Sequence, residues 1–99
     1  MKVNISTKIA GVQLETCIFN TSGPRDETLP LLKIIGKSAS SAITMKSCTL
    51  EPRAGNPEPR YADLPNQSSI NSMGLPNLGY KEYVRFVPIL KKEFKKPVI

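Results

Sequence analysis

Histidine is absent from the 99-residue chain, and cysteine occurs only at Cys17 and Cys48. Without histidine the chain lacks the commonest metal ligand and cannot by itself form a Ser-His or Cys-His catalytic pair. Two cysteines also fall short of the about four ligands that a zinc site needs. We therefore expect no metal site from this chain alone, and we expect both cysteines to remain reduced thiols.

Long apolar runs are also missing. No run approaches the roughly 20 residues that a membrane-spanning helix requires, and residues 1–8 lack the apolar core of a signal peptide. These absences predict a soluble, cytoplasmic protein with no membrane partner.

Acidic residues are fewer than basic ones, which gives a formal net charge of +6. Much of the excess positive charge lies between residues 81 and 96, which contain six lysines and arginines but only two glutamates. Such a stretch can bind a phosphate backbone, but cations also suit the C-terminal end of a solvated helix. We favour the solvated helix and expect no nucleic-acid partner. A small basic binding module is the alternative.

The periodicity of the first half predicts strands and one helix. Residues 3–9 and 12–15 alternate around a Gly-containing break and predict a β-hairpin. The short apolar run at 17–19 predicts a strand buried on both faces, Cys17 included. Residues 28–37 have helical spacing, with Asp26 or Thr28 as N-cap and Gly36 as terminator. Residues 41–48 predict another strand.

The second half holds a long loop and one more helix. Residues 49–79 show no clear period, which in a compact domain usually indicates a functional loop. Residues 80–94 return to helical spacing, and we expect a kink or break at Pro88. Residues 96–99 look like the start of a further strand.

Strands that alternate with helices predict parallel βα units. Two such units cannot cover their own sheet, and a (β/α)₈ barrel takes about 250 residues. The predicted fold class is α/β, the N-terminal portion of a (β/α)₈ barrel preceded by a β-hairpin.

Four segments carry a family resemblance: NTSG at 20–23, KSCT at 46–49, GNPEPRY at 55–61 and SINSMGLPNLG at 69–79. In these segments the chain resembles the dihydroorotate dehydrogenases, most closely the soluble class 1A enzymes. The resemblance implies that residues 1–99 begin a single FMN-binding barrel domain. It implies oxidation of dihydroorotate to orotate in pyrimidine synthesis, with fumarate as electron acceptor and a homodimeric enzyme.

The same resemblance implies roles for individual residues. The residues expected at the flavin are Thr21, Ser22, Gly23, Lys46 and Ser47. The residues expected at the substrate are Lys46, Asn71, Met73, Gly74 and Leu75. The chemistry suits these roles, since a lysine can stabilise negative charge on a reduced flavin and an amide can pair with a pyrimidine edge.

The catalytic base is not expected in this chain. The family places a cysteine or serine base on a later loop, beyond residue 99, so we expect the 99 residues alone to be inactive. The chain also departs from the usual family sequence at Met45, at residues 24–27 and at residues 65–68. These departures make a related dihydropyrimidine dehydrogenase-like flavoenzyme one alternative. A truncated, non-catalytic fragment is the other, because the expected base and most βα units are missing.

Overall fold

The computed structural model describes residues 2–99. Its elements are two short hairpins and two helices. They are β1 (Thr7–Ile9), β2 (Val12–Leu14), α1 (Leu29–Lys37), β3 (Tyr61–Leu64), β4 (Ser68–Asn71) and α2 (Tyr80–Phe94). This α/β arrangement is compatible with the first part of a (β/α)₈ barrel, while the barrel as a whole stays a prediction.

The first hairpin confirms the prediction from alternation, although its strands are shorter than predicted. β1 pairs antiparallel with β2, and Ile9 lies opposite Val12. Ala10 and Gly11 form the turn with positive φ values of 48° and 82°. Glycine adopts such angles at little cost, and a short Gly-containing turn is what the sequence predicted.

Two predicted strands pair in parallel without becoming regular strands. Ile43 forms an isolated parallel bridge with Val98. The Ile43 N–H donates to Pro97 O at 2.9 Å, and the Met45 N–H donates to Ile99 O at 2.8 Å. A third bond runs from the Ile99 N–H to Ile43 O at 2.9 Å. The segments predicted as strands, 41–48 and 96–99, therefore pair in parallel, and within residues 2–99 these three bonds are the extent of it.

The predicted strand at 17–19 is wrong as a regular, doubly buried strand. Its one backbone bond to the next segment runs from Ser41 N–H to Ile18 O at 3.1 Å. Cys17 is exposed, and Ile18 is 68% exposed. The physical reason is that segment 41–45 pairs with it on one side only, and no other element of residues 2–99 covers its outer face.

The core lies between the two helices and the paired segments. Its buried members are Leu32, Ile43, Tyr83, Phe86 and Leu90. The Tyr83 and Phe86 rings meet edge to face, with centroids 5.7 Å apart and planes at 88°. This geometry suits the ring quadrupoles. Both rings lie on the face of α2 that packs with Leu32 of α1, as the helical spacing predicted.

Gly36 does not terminate α1, contrary to the prediction. It is buried within the helix, which ends at Lys37. A Cβ on Gly36 would lie 2.5 Å from Cδ2 of Phe94, so the glycine lets α2 approach closely. Lys96 then stabilises the end of α1, because its Nζ donates to Gly36 O at 2.8 Å and to Ser38 O at 2.7 Å.

A kink or break was expected at Pro88; helix α2 continues through this residue, so a break does not occur. An interior proline costs a helix about 3 kcal/mol, since it removes one hydrogen bond and crowds the preceding turn. Pro88 is exposed, whereas Phe86 and Leu90 on either side of it are buried. We infer that the packing of Phe86 and Leu90 in the core offsets the cost of the proline.

The second hairpin was missed, since residues 49–79 were predicted to be irregular. β3 pairs antiparallel with β4, and Tyr61 lies opposite Asn71. Pro65, Asn66 and Gln67 form its turn, in which Asn66 and Gln67 have left-handed φ values of 61° and 59°. Nearly every residue of both strands is exposed, so no buried face imposes an alternating pattern.

Candidate functional site

Asn20 joins the segment at residues 17–20 to the segment at 41–45, at the point where the candidate site begins. Its Nδ2 donates to Thr44 O at 2.9 Å, and its Oδ1 accepts the Thr44 N–H at 2.8 Å. Its own N–H donates to the Ser40 hydroxyl at 3.0 Å. The loop after residue 20 is thereby held beside the segment that carries Lys46.

Four of the five residues predicted to contact a flavin meet through hydrogen bonds. The Ser47 N–H donates to Ser22 Oγ at 3.0 Å, and the two serine hydroxyls are 3.1 Å apart. The Lys46 Nζ donates to Gly23 O at 2.5 Å. Thr21 is adjacent and exposed. The structure therefore brings residues 21–23 and 46–47 into one cluster, which we call the lysine cluster.

Lys46 is only 8% exposed, so its ammonium is held inside the lysine cluster rather than in solvent. Ser22 and Ser47 are exposed beside it. The cluster thus presents two hydroxyl groups at the surface with a buried cation behind them. A ligand that carries carbonyl oxygens or negative charge would match these donors.

Asp26 belongs to this cluster, and sequence reasoning had considered it only as a helix N-cap. The N-cap of α1 is Thr28, whereas Asp26 Oδ2 accepts the Gly23 N–H at 3.1 Å. Burial raises the pKa of the Asp26 carboxyl above its ordinary value of 3.8, while the Gly23 hydrogen bond and the Lys46 charge oppose that shift. Nothing in the local sequence signals this burial, because it arises from tertiary packing.

The predicted substrate asparagine lies at the end of the second hairpin. Asn71 is exposed and closes β4 opposite Tyr61. It lines an open groove of about 310 Å³, together with Pro59, Arg60 and other hairpin residues. No hydrogen bond within residues 2–99 joins the Asn71 side chain to Lys46. Asn71 and Lys46, both predicted to contact the substrate, thus lie on separate segments of the chain.

The loop after Asn71 has a tightly constrained backbone. Gly74 and Leu75 have positive φ values of 77° and 57°. A Cβ on Gly74 would lie 2.6 Å from Asn56 Cγ, and the Asn56 N–H donates to Met73 O at 2.8 Å. Glycine is therefore required at position 74 by both backbone angle and space.

Asn77 joins this loop to the segment that follows Lys46, a role that sequence reasoning missed. Its Oδ1 accepts the N–H groups of Thr49 at 3.1 Å and Gly79 at 3.0 Å. Its Nδ2 donates to Leu75 O at 3.0 Å. The side chain is buried, with 2% exposure. Asn77 thus ties the Leu75 backbone to Thr49, which follows the lysine cluster in the chain.

The same end of the hairpin, where Tyr61 lies opposite Asn71, contacts the loop before α1. The Arg25 guanidinium lies 5.2 Å from the Tyr61 ring centroid, and its Nη2 donates to the Tyr61 hydroxyl at 2.6 Å. Asp63 Oδ1 accepts from the same hydroxyl at 3.1 Å. These contacts connect the loop that contains Asp26 to the hairpin that carries Asn71.

Comparison with known families matches residues 4–99 to the family described as dihydroorotate dehydrogenase. This match covers nearly all of the chain. The chain belongs to the dihydroorotate dehydrogenase family. The resemblance found in the four sequence segments is thereby confirmed.

Three streptococcal relatives illustrate the similarity, and all are named for dihydroorotate dehydrogenase A (fumarate). The protein from Streptococcus uberis is 46% identical over 91 residues. The proteins from Streptococcus equi subsp. equi and Streptococcus pneumoniae are 44% and 41% identical over 91 residues. Each alignment covers 92% of this chain and 29% of the relative. The chain thus spans less than a third of the length of these relatives.

Two further features concern membranes and metals. Neither of the helices within residues 2–99 has the length and apolar character needed to cross a membrane. The same residues contain no group of three or more His, Cys, Asp or Glu side chains that could hold a metal ion.

Proposed function

We propose that this chain supplies part of the FMN and substrate site of an enzyme that oxidises dihydroorotate to orotate in pyrimidine synthesis. The observation that carries the proposal is the lysine cluster, in which the buried Lys46 ammonium lies beside the exposed hydroxyls of Ser22 and Ser47. Membership of the family and the names of the relatives support it.

The donors of the lysine cluster fit FMN. Thr21, Ser22 and Ser47 offer hydroxyl groups at an accessible surface, and Gly23 adds no side chain that would block a flat ring. When bound, FMN supplies the acceptor for the hydride removed from the substrate. Lys46 would hold a positive charge near the pyrimidine end of the ring and stabilise negative charge there.

The second loop fits a pyrimidine carboxylate. The Asn71 amide offers both a donor and an acceptor to the N–H and C=O edge of the substrate. The left-handed backbone at Gly74 and Leu75 would let main-chain N–H groups of Met73–Leu75 approach the carboxylate. Lys46 would contribute to both ligands. The base that takes the substrate proton, a cysteine or serine, is proposed to lie on a later loop.

The remaining parts of the proposal concern the whole protein. Residues 1–99 would form the N-terminal segment of one FMN-binding (β/α)₈ domain, in a cytoplasmic homodimer. Fumarate is the proposed electron acceptor, because the relatives carry that acceptor in their names.

The test is a flavin absorbance spectrum of the full-length protein that contains this chain. We expect bound FMN, loss of its visible absorbance on anaerobic addition of dihydroorotate, and recovery on addition of fumarate. Residues 1–99 alone should be colourless. Bleaching by dihydrouracil but not dihydroorotate would favour the dihydropyrimidine dehydrogenase alternative, and a full-length protein without flavin would contradict the proposal.

Asn71→Ala tests the substrate loop in the same protein. We expect a KM for dihydroorotate at least about tenfold higher, because about 1.4 kcal/mol of binding free energy is within the range of one hydrogen-bonded amide. Asn4→Ala removes another exposed asparagine, outside both loops, and should leave the KM unchanged. Equal KM values for the two variants would contradict the role of Asn71.

A further inference from the structure

Asp26 is a buried carboxylate that the proposed chemistry does not use. Its side chain is 1% exposed. Oδ2 accepts the Gly23 N–H, but Oδ1 has no hydrogen-bond partner within residues 2–99. Burying a carboxylate in this way is unfavourable unless another charge compensates it. The position therefore calls for a nearby cation.

Lys46 is that cation. The Lys46 residue is 8% exposed, and within residues 2–99 its ammonium forms no direct ion pair. Gly23 lies between the two groups, because its N–H donates to Asp26 and its carbonyl oxygen accepts from Lys46. One residue thus links a buried anion to a buried cation, and each lowers the cost of burying the other.

We propose that Asp26 is a positioning residue and counter-charge for Lys46, and that it thereby lowers the reduction potential of the flavin bound at the lysine cluster. This inference rests on the proposed function. By holding Gly23, Asp26 fixes the carbonyl oxygen that orients the Lys46 ammonium. By its negative charge, it offsets part of the positive potential that the ammonium directs at the ring.

The direction of the effect follows from charge. Reduction adds electrons to the flavin, so a positive charge beside the ring favours the reduced form and a negative charge opposes it. Removal of the Asp26 charge leaves the Lys46 charge without compensation, so the reduced form becomes more favourable. The potential should therefore rise.

The experiment is a spectroelectrochemical titration of the flavin in the full-length holoenzyme. For Asp26→Asn we expect at least about a tenfold shift of the equilibrium toward reduced flavin, which is about 30 mV for a two-electron couple. Glu15→Gln is the control, since it removes the same charge from an exposed side chain that lies outside the candidate site. Its potential should equal that of the wild type.

Asp26→Ser is the second variant, in case the asparagine amide prevents folding. Serine removes the charge and retains an oxygen that can accept the Gly23 N–H, so the potential should rise as for Asp26→Asn. In the Lys46→Met background, the Asp26 substitutions should shift the potential by clearly less, because the cation they uncover is gone. A merely structural role for Asp26 would not produce this dependence on Lys46.

The outcomes separate this inference from the proposed function. A wild-type protein that binds flavin and is reduced by dihydroorotate, with unchanged potentials in both Asp26 variants, overturns the inference alone. A wild-type protein that binds no flavin overturns both. A rise in potential that is equally large with and without Lys46 would refute the counter-charge role.

Discussion

Replacement of Asn77 by alanine should destabilise the protein more than any exposed asparagine substitution. The change removes the acceptor for two backbone N–H groups, those of Thr49 and Gly79, and the donor to Leu75 O. No other acceptor within residues 2–99 hydrogen-bonds the Gly79 N–H. The loop 71–79 would keep the backbone bonds between Asn77 and Arg53 but lose its side-chain attachment to Thr49.

The magnitude follows from the burial of the two stranded N–H groups. A buried donor left without a partner costs about 1–3 kcal/mol. Gly79 is buried, whereas Thr49 is half-buried and can be reached by water. One full and one partial penalty give a loss of about 3 kcal/mol in the free energy of unfolding. The KM for dihydroorotate should also rise, because the Leu75 backbone loses a hydrogen bond.

The assay is urea denaturation of the full-length protein, with Asn4→Ala as the control. Asn4 is exposed and its side chain accepts only a local bond from Ser6, so its loss should change the free energy of unfolding by less than about 0.5 kcal/mol. Asn77→Asp keeps the two acceptor bonds and should fall between alanine and the wild type. A loss below about 1 kcal/mol for Asn77→Ala would refute the assigned role.

Two further predictions concern packing and pH. Gly36→Ala should lower the free energy of unfolding by about 1–2 kcal/mol, since overpacking against Phe94 costs about 1–3 kcal/mol and exceeds the gain in helix propensity. In urea denaturation, adding Phe94→Leu to this variant should restore part of the loss. If the effects of the two substitutions simply add in the double variant, the contact is contradicted. The pKa of Asp26 is raised in the folded state, so the folded protein binds the Asp26 proton more strongly than the unfolded chain does. The contribution of Asp26 to the free energy of unfolding therefore falls as pH rises from the ordinary pKa of 3.8 through the raised pKa. Measured against Asp26→Asn over that range, the wild type should become relatively less stable with rising pH, and a constant difference would contradict the raised pKa.

Elements with a buried face could be predicted from the sequence. Helices α1 and α2 were found close to their observed bounds, because one face of each packs into the core around Leu32 and Leu90. The hairpin β1–β2 was found because its alternation is interrupted by Gly11. In each case a local pattern and a tertiary contact impose the same conformation.

Features that depend on distant contacts could not be predicted. Gly36 follows the pattern of a helix terminator, but its role is to admit Phe94 from a helix almost 60 residues later. Pro88 carries the local signal of a break, but packing on the opposite face prevents it. The exposed hairpin of β3 and β4 has no buried face, so periodicity cannot reveal it.

The residues of the candidate site also divide into those that the sequence could predict and those that depend on distant contacts. The clustering of Ser22, Gly23, Lys46 and Ser47 agrees with the grouping implied by the family resemblance. Asp26 and Asn77 were not assigned to the site, because their side chains bond to backbone groups that only the folded chain brings near.

The paired bonds from Asn20 to Thr44 have a consequence for folding fidelity. The Asn20 side chain accepts from the Thr44 N–H and donates to the Thr44 carbonyl oxygen, as the peptide group of a neighbouring strand would. It can bind the backbone of one residue at a time in this way. A slip of one position along the segment would break both bonds. It would also turn Lys46 to the opposite face. Asn20 thus opposes the one-residue slip that would turn the lysine away from its site.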